Sequence, residues 1–435
     1  MTDLRFELDW ESVSGSRGDE LAATWARLAI RVGDATVTSV NDYRSRALRD
    51  HVLIPLYPLA EWLATHWWLL LYEVPTPGRE DYERRHNLRF GREGFALPDL
   101  SIEPSGERTS LKWRAFDLPD ARIGFTGAGT CNLELEGVRQ SFADLIETVL
   151  ARLDQQGVAE TYLHREWQAI QSADEDEAAF CIAAARLGQD PYAIEQPLSQ
   201  AIVTAANRLP AHWQEEFFNI ADARTIEEQA TLVNEARALA MGTAGQFESL
   251  VELRAETEKI HPKRAPWDQG YRVARTLRQR LGLAAEPLGN DAELTAALKI
   301  PSLGYTRFGE PGARRWLDGL VECADDEGPA FLTTKSWDQQ VRFAFCRGLF
   351  EYLTVPDTPS ALTTAARTDR QQRNRAFAAE FLAPADWLRG RIVGTWASAD
   401  EMDDWAAKLG VSEEVVRRQI QNHRLAFVEG MGDCW

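Results

Sequence analysis

The stretch SWDQQVRFAFCRGLFEYL, residues 336–353, decides the fold of the C-terminal part of the chain. Ser336 and Gln339 have the spacing of a capping box, in which two side chains satisfy the free amides at the start of a helix. The apolar residues that follow fall on two stripes at helical spacing, so the helix is apolar on nearly all sides. We therefore predict a central, buried helix in its domain.

A second helix is predicted in DRQQRNRAFAAEFLAP, residues 369–384. Asp369 is a suitable N-cap, and Pro384 ends the pattern. Phe377 and Phe381 lie one turn apart on the same face, where their rings should stack.

Together the two segments resemble the signature helices of the ImmA/IrrE metallopeptidase family. In that family an RFTLAHELGHYL-like helix precedes an ExxANxFAAELLMP-like helix, and FAAEFLAP, residues 377–384, is the most specific part of the similarity. The resemblance covers about residues 263–435, including a C-terminal LGVSEEVVRRQIQN segment. It implies a zincin-like, mostly helical C-terminal domain in a bacterial protein of stress, mobile-element or phage-response circuits.

The residues that carry the chemistry of that family are replaced here. The family binds zinc with two histidines four residues apart and a carboxylate from the second helix, and uses a glutamate as general base. The alignment puts Arg347 and Glu351 at the histidines, Gly348 at the glutamate, and Gln371 and Arg373 at the candidate acidic-ligand positions. A guanidinium has no lone pair for zinc, and glycine cannot act as a base. We expect a degenerate active site without peptidase activity, metal or cofactor.

Arg347 and Glu351 keep the four-residue spacing and carry opposite charges, which predicts an ion pair filling the former metal cleft. In the alternative, Arg347 reaches into a retained cleft and binds a carboxylate of a partner, as its fork geometry allows. Cys346 lies on the apolar stripe, so packing is the preferred interpretation over a thiolate nucleophile.

The 435 residues predict about three domains of ~150 residues each. We predict an α+β fold with a mixed N-terminal domain at 1–157, a helical domain at 158–262 and the degenerate ImmA/IrrE-like domain at 263–435. The proline-rich segment 261–266 is the predicted linker between the last two.

Alternating apolar and polar residues predict N-terminal strands at 4–9, 109–116 and 130–136. A turn is expected at Ser105 and Gly106, and Gly127 and Gly129 are interpreted as a turn rather than a phosphate loop. Capping-box spacing predicts that a long helix begins at Ser141. Short edge strands are expected near 298–307 and at 329–333.

The most apolar segment, residues 53–74, carries Glu61, His66 and two prolines. We interpret it as a buried helix starting near Pro58 and not as a membrane span. Its tryptophans are expected in the core, and the alternative is a partner-binding surface formed by Trp62, Trp67 and Trp68.

Residues 400–425 predict two helices around a turn at Gly410, with Ser412 as cap of the second. Arg417 and Arg418 are candidates for phosphate or partner contact, but neighbouring acidic residues oppose DNA binding. A closing helical pair packed on the C-terminal domain is therefore preferred.

The net charge of −19, from 48 Lys and Arg against 67 Asp and Glu, disfavours non-specific nucleic-acid binding. Five widely spaced cysteines without a CxxC motif fit a reducing cytoplasm. The sequence thus favours a non-catalytic regulatory or scaffold protein with a protein partner. Two alternatives stay open: an enzyme with an active site in the N-terminal domain, and a DNA-binding regulator that acts through the C-terminal helices.

Overall fold

The computed structural model describes residues 3–13, 15, 18–75, 80–91, 94–117, 122–242, 247–255, 264–309, 316–323, 328–355 and 360–428. The chain divides into two compact units, Met1–Val203 and Thr204–Trp435, here called unit 1 and unit 2. Helices alternate with small, largely antiparallel sheets in both, which confirms the α+β class.

Unit 1 begins with strands and ends with helices. Its elements are β1 Leu4–Trp10, α1 Asp19–Ala23, β2 Trp25–Val32, β3 Ala35–Thr36, β4 Val40–Asp42, β5 Ala47–Arg49, β6 Val52–Pro55, α2 Tyr57–Thr65, α3 Trp67–Tyr72, α4 Glu80–His86, a 3₁₀ turn Leu88–Phe90, β7 Asp99–Pro104, β8 Arg108–Arg114, β9 Phe116–Asp117, β10 Ile123–Phe125, β11 Gly129–Glu134, α5 Leu135–Gln155, α6 Tyr162–Ser172, α7 Glu175–Arg186 and α8 Gln196–Arg208. The boundary between the units falls inside α8.

Three small sheets form the β part of unit 1. β2 pairs antiparallel with β1, β3 and β6; β8 pairs with β7 and β11; and the third sheet has the order β5-β4-β10-β9. The strand at 4–9 is thus confirmed, and so is the turn at Gly106, whose φ is +105°. Gly127 lies between β10 and β11, whereas Gly129 is the first residue of β11, where a Cβ would overlap the ring of Trp113. Close packing, rather than phosphate binding, accounts for this glycine.

The long helix α5 begins at Leu135, so the predicted start at Ser141 is wrong. The Ser141 hydroxyl lies inside the helix, within 2.8 Å of Gly137 O and 2.7 Å of Leu4 O. A hydroxyl can bond the preceding turn of its own helix, so the spacing alone does not mark a cap.

The tryptophan-rich segment is in the core of unit 1. α2 starts one residue before Pro58, and Trp67 and Trp68 are 4% and 8% exposed. The Trp67 ring packs edge-on against Trp167, and Trp68 Nε1 donates to Tyr192 Oη at 3.3 Å. Within the described ranges, every helix is too short or too polar to cross a membrane.

The segment 158–262 is helical as predicted, but it divides between the two units. α6 and α7 contribute Leu163, Trp167 and Cys181 to the core of unit 1, whereas the helices after α8 pack in unit 2. Half of the predicted linker, residues 261–263, lies outside the described residues, which resume at Arg264.

Unit 2 combines one mixed sheet with many helices. Its elements are α9 Ala211–Phe218, α10 Ile226–Met241, α11 Glu248–Ala255, α12 Pro266–Arg280, α13 Asp291–Leu298, β12 Tyr305–Arg307, β13 Leu317–Cys323, β14 Pro329–Thr333, α14 Asp338–Thr354, β15 Ala361–Thr364, α15 Asp369–Leu382, α16 Ala385–Arg389, β16 Trp396–Ala397, α17 Ala399–Leu409, α18 Glu413–Asn422 and β17 Phe427–Val428.

The main sheet of unit 2 has the order β12-β14-β13-β15. β14 occupies 329–333 as predicted, but it is an inner strand, fully buried, and not an edge. α14 packs on this sheet, and α15 packs between α14 and α12. α14 is buried along almost its whole length, which confirms the central helix.

The cores of α14 and α15 match the prediction, and their caps do not. Trp337 is the N-cap of α14 and makes no side-chain capping bond, so the predicted Ser336 box is wrong. Thr368, not Asp369, caps α15, and its hydroxyl accepts from Gln371 N at 3.2 Å. Phe377 and Phe381 do stack, with ring centroids 5.4 Å apart.

The closing pair α17 and α18 packs on the rest of unit 2, as preferred from the sequence. The turn residue Gly410 has φ +61°, and its carbonyl accepts from buried Arg342 Nη1 at 2.7 Å. Ser412 is the N-cap of α18 but makes no side-chain capping bond. Gln419 Nε2 on α18 donates to Glu380 Oε2 of α15 at 2.9 Å.

Candidate binding site

The densest buried polar cluster described in unit 2 surrounds Arg347 of α14, whose side chain is 2% exposed. Its Nε donates to Asn374 Oδ1 at 2.8 Å, and its Nη2 donates to Thr364 O at 2.9 Å. The guanidinium also donates to the carboxylate of Asp318 and to Gln371 Oε1. Arg347 therefore ties α14 to β13, β15 and α15.

The predicted ion pair between Arg347 and Glu351 is wrong. Glu351 instead pairs with Arg370, whose Nε donates to Glu351 Oε2 at 2.9 Å. Asn374 lies between the two charges, because its Nδ2 donates to Glu351 Oε1 at 2.8 Å while its oxygen accepts from Arg347. Arg347 is thus paired with Asp318 of β13, and Glu351 is paired with Arg370 of α15.

The interpretation that Arg347 reaches out to a partner is also wrong. A guanidinium carries five N–H groups, and four hydrogen bonds to neighbouring residues use most of them here. Glu351 is equally inaccessible, with 1% of its side chain exposed. Both residues therefore hold the surrounding elements together and present no exposed side chain to a ligand.

Gln371 extends the cluster to a buried carboxyl on α9. Its Nε2 donates to Glu216 Oε2 at 2.8 Å and to Leu362 O at 2.9 Å. Glu216 also accepts from the Thr368 hydroxyl at 2.7 Å. Burial raises the pKa of Glu216, although the charge of Arg370 and these hydrogen bonds oppose the rise. The position expected to hold a metal-binding carboxylate therefore carries an amide that joins two buried groups.

The carboxylate of Asp318 is surrounded by positively charged side chains. Lys335 Nζ lies 2.5 Å from it, beside the bond from Arg347. Burial alone would raise the pKa of Asp318, but the charges of Arg347 and Lys335 outweigh burial and lower it. Arg375 lies near the same group, and burial together with the charge of Arg347 lowers the pKa of Arg375 to about 10. Two cations thus pair directly with Asp318, and a third lies near it without forming an ion pair in the described residues.

The other two aligned positions, Gly348 and Arg373, lie where secondary-structure elements approach closely. A Cβ on Gly348 would lie 3.0 Å from the ring of Phe331, so glycine lets α14 approach β14 closely. Arg373 lies on the part of α15 where the backbone approaches α12 so closely that a Cβ on Gly270 would overlap the Arg373 carbonyl oxygen. Of the two candidate acidic-ligand positions, Gln371 hydrogen-bonds Arg347 directly.

Cys346 is fully buried, and burial raises the pKa of its thiol to about 12. A thiol of this pKa is not a thiolate at neutral pH, so it cannot serve as the nucleophile. The packing interpretation of Cys346 is confirmed.

Two neighbouring cavities lie beside the cluster and share Phe343 and Val415 in their walls. The smaller, of about 220 Å³, is lined by Asp318 and Lys335. The larger, of about 590 Å³, lies among α12, α14, α15 and α18 and is lined by Arg375. A cavity of this size is within the usual range for ligand sites.

A polar cavity of about 360 Å³ in unit 1 contains His86 and Ser101 in its wall. Both nitrogens of the His86 ring are engaged, with Ile102 O at 2.9 Å and with Glu73 Oε2 at 3.1 Å. Ser101 Oγ accepts from Asn87 at 3.1 Å. In the described part of this cavity no nucleophile is hydrogen-bonded to a base.

The other residues predicted as partner contacts are less available for binding than the sequence suggested. Arg417 bonds Glu413, and Arg418 bonds Glu414 at 2.7 Å, so acidic residues of α18 balance both charges. Trp67 and Trp68 are buried and cannot form a partner surface. Trp62 is partly exposed, and its ring lies over Gly91, where a Cβ would approach it to 2.8 Å.

Among the residues of the site that the sequence analysis missed are Asp318, Glu216, Asn374 and Arg375. Asn374 and Arg375 lie three and four residues after Gln371, a spacing that places them on the same side of a helix. That spacing was a usable signal. Asp318 and Glu216 are distant in sequence, and only the fold brings them to Arg347.

No family model matches the chain, and no curated protein matches it significantly. In the described residues no group of three or more His, Cys, Asp or Glu is arranged to hold a metal ion.

Proposed function

We propose that the protein is a non-catalytic, metallopeptidase-like regulatory or scaffold protein that binds a protein partner in the cytoplasm. The resemblance of the C-terminal part to ImmA/IrrE peptidases favours a role in a bacterial stress, mobile-element or phage-defence circuit. The binding site is the cavity pair beside Arg347.

One observation carries the proposal. On the proposed alignment, Arg347 takes the place of the first zinc-binding histidine, and its guanidinium is held by Asp318, Asn374, Gln371 and Thr364. A buried cation repels a divalent metal, and Gly348 has no side chain that could act as a general base. The cavities next to it keep a concave, partly cationic surface that can still bind a ligand.

The first test is metal binding. Protein purified from zinc-supplemented cells should hold no stoichiometric zinc by elemental analysis, and added zinc should not raise its Tm. One tightly bound zinc per chain, or cleavage of a peptide library that a chelator stops, would overturn the non-catalytic assignment.

The second test is partner capture through the larger cavity. Ala379 lines this cavity, and Ala379→Trp should fill it and weaken capture of the partner from the native host. Ala407→Trp makes the same change at an exposed position of α17 and should leave capture intact. Equal capture by both variants, each folded by circular dichroism, would exclude the cavity as the binding site.

A further inference from the structure

The larger cavity of unit 2 has an apolar wall and one arginine, Arg375, that forms no ion pair within the described residues. Its wall includes Trp267 and Tyr271 of α12, Phe343 of α14 and Val415 of α18. Trp267 is 46% exposed, so a large apolar ring is already available at the surface. A ligand that buries an apolar group here gains the usual ~25 cal/mol per Å² of covered apolar surface.

Two guanidinium groups line the same cavity, and they differ in how they are balanced. Arg418 is paired with Glu414 at 2.7 Å, and both residues are in the wall, so together they add no net charge. Arg375 makes one hydrogen bond within the described part of the chain, from Nη2 to Thr364 O at 2.8 Å, and no ion pair there. Among the described lining residues, the wall of the cavity therefore carries a net charge of one positive unit.

The surroundings of Arg375 explain why the protein itself does not supply the missing anion. The carboxylate of Asp318 already forms ion pairs with Arg347 and Lys335, and Glu351 forms one with Arg370. Burial and the like charge of Arg347 lower the pKa of Arg375 to about 10, which marks a cation that would gain from an added negative group. A carboxylate from outside can bond the remaining N–H groups of this guanidinium.

We propose that this cavity binds a short peptide segment of the partner that carries a carboxylate next to a large apolar side chain. The carboxylate pairs with Arg375, and the apolar side chain packs against Trp267, Tyr271 and Phe343. This inference rests on the proposed binding function and specifies its ligand. The acidic charge of the whole protein, −19, makes this local cation the feature that selects an anionic group.

Isothermal titration with a defined probe tests the inference. The probe is N-acetyl-leucyl-phenylalanine with a free carboxylate, compared with its C-terminal amide and with N-acetyl-diglycine, which lacks apolar groups. The free acid should bind, the amide should bind about tenfold or more weakly because a charge-assisted bond is lost, and the diglycine acid should not bind measurably. Equal binding of acid and amide would overturn the role of Arg375.

Two variants locate the site. Arg375→Gln should reduce binding of the free acid to the level of the amide, whereas Arg272→Gln removes an exposed charge from α12 and should change nothing. If Arg375→Gln does not fold, Ala379→Trp should abolish binding while its control Ala407→Trp retains it. Wild-type binding by folded Ala379→Trp would exclude this cavity.

A third ligand distinguishes a peptide from a free organic acid, since both can supply a carboxylate and an apolar ring. 3-Phenylpropionate carries a carboxylate and a ring but no peptide bond, and it should bind more weakly than the dipeptide. Equal or tighter binding of phenylpropionate would overturn the peptide as occupant and assign the cavity to a free acid. All titrations are done with a chelator present, so that a failure here is distinct from the metal and hydrolysis results that test the absence of catalysis.

Discussion

Removing Asp318 should destabilise unit 2 more than removing Arg347, although the two residues form one ion pair. In Asp318→Ala the buried guanidinium of Arg347 keeps only neutral acceptors, on Asn374, Gln371 and Thr364. Removing one partner of a buried pair costs about 3–5 kcal/mol, because the other charge is left without compensation. We expect Asp318→Ala to lower the free energy of unfolding of unit 2 by about 3 kcal/mol or more.

Arg347→Met should lower the free energy of unfolding less than Asp318→Ala, because most of the groups that bond Arg347 keep another partner. Asp318 keeps Lys335 at 2.5 Å, and Gln371 Oε1 still accepts from Thr364 N at 2.9 Å. Asn374 Oδ1 is then the acceptor that loses its donor, and one unsatisfied buried polar group costs about 1–3 kcal/mol. The double variant should be less destabilised than the sum of the two single changes.

Hydrogen exchange measured by mass spectrometry across a urea series is the suitable assay, since it reports the units separately. Peptides from α14 give the stability of unit 2, and peptides from β2 in unit 1 serve as the internal reference. A loss in Arg347→Met as large as that in Asp318→Ala, or strict additivity in the double variant, would refute this account of the cluster.

The same pair predicts how unit 2 responds to acid. The pKa of Asp318 is lowered in the folded state, so its contribution is complete above the unfolded value of about 3.9. That contribution is lost as the pH falls through the lower folded pKa. Asp318→Asn should therefore remove part of the acid sensitivity of the α14 peptides, and an unchanged pH profile would contradict the assignment.

Three further predictions concern other buried positions. Because burial raises the pKa of Glu216, its favourable contribution is lost as the pH rises from about 4.3 through the folded pKa, and Glu216→Gln should flatten the decline in urea midpoint over that range. Gly410→Ala should cost about 2–5 kcal/mol, because φ is +61° and a Cβ would overlap a neighbouring carbonyl, whereas Gly390→Ala should be nearly neutral in the same thermal melts. Iodoacetamide should label half-buried Cys131 in the native protein and Cys346 only after denaturation, as peptide mapping will show.

The sequence predicted helices best where periodicity was long and the side chains were large. The Phe377–Phe381 stack follows directly from one helical turn, and α14 is buried all round, as its two apolar stripes indicated. Cap positions were less predictable, since serine, threonine and aspartate can all accept an amide bond and lie close together. Thr368 precedes Asp369 by one residue and takes the cap.

Ion-pair partners were predicted poorly for a different reason. Spacing along a helix identifies which side chains are neighbours on its surface, but α14 has hardly any exposed surface. In such a helix the partners come from whatever packs against it. Asp318 lies 29 residues before Arg347 in sequence, on a strand that the sequence analysis did not identify.

The two compact units divide the chain differently from the three predicted domains, and the reason is similar. A run of helices looks like a helical domain in a sequence, but a helix belongs to the core that buries its apolar face. Trp167 of α6 enters the core of unit 1, whereas Leu250 of α11 enters the core of unit 2. Periodicity gives the apolar face of each helix and does not say which core receives it.

The contacts of Arg347 connect α14 and α15, the two helices on which the resemblance to zinc peptidases rests. A zinc ion held between the two signature helices would fix α14 against α15 through its ligands. Here one guanidinium makes the same connection through Asn374 and Gln371, and it adds β13 and β15 through Asp318 and Thr364. Because these bonds hold the walls of the neighbouring cavities without using Arg375, the arrangement separates the residue that maintains the site from the residue proposed to bind the ligand. Selection for binding can then act on Arg375 and the apolar wall while the Arg347 cluster preserves the fold beneath them.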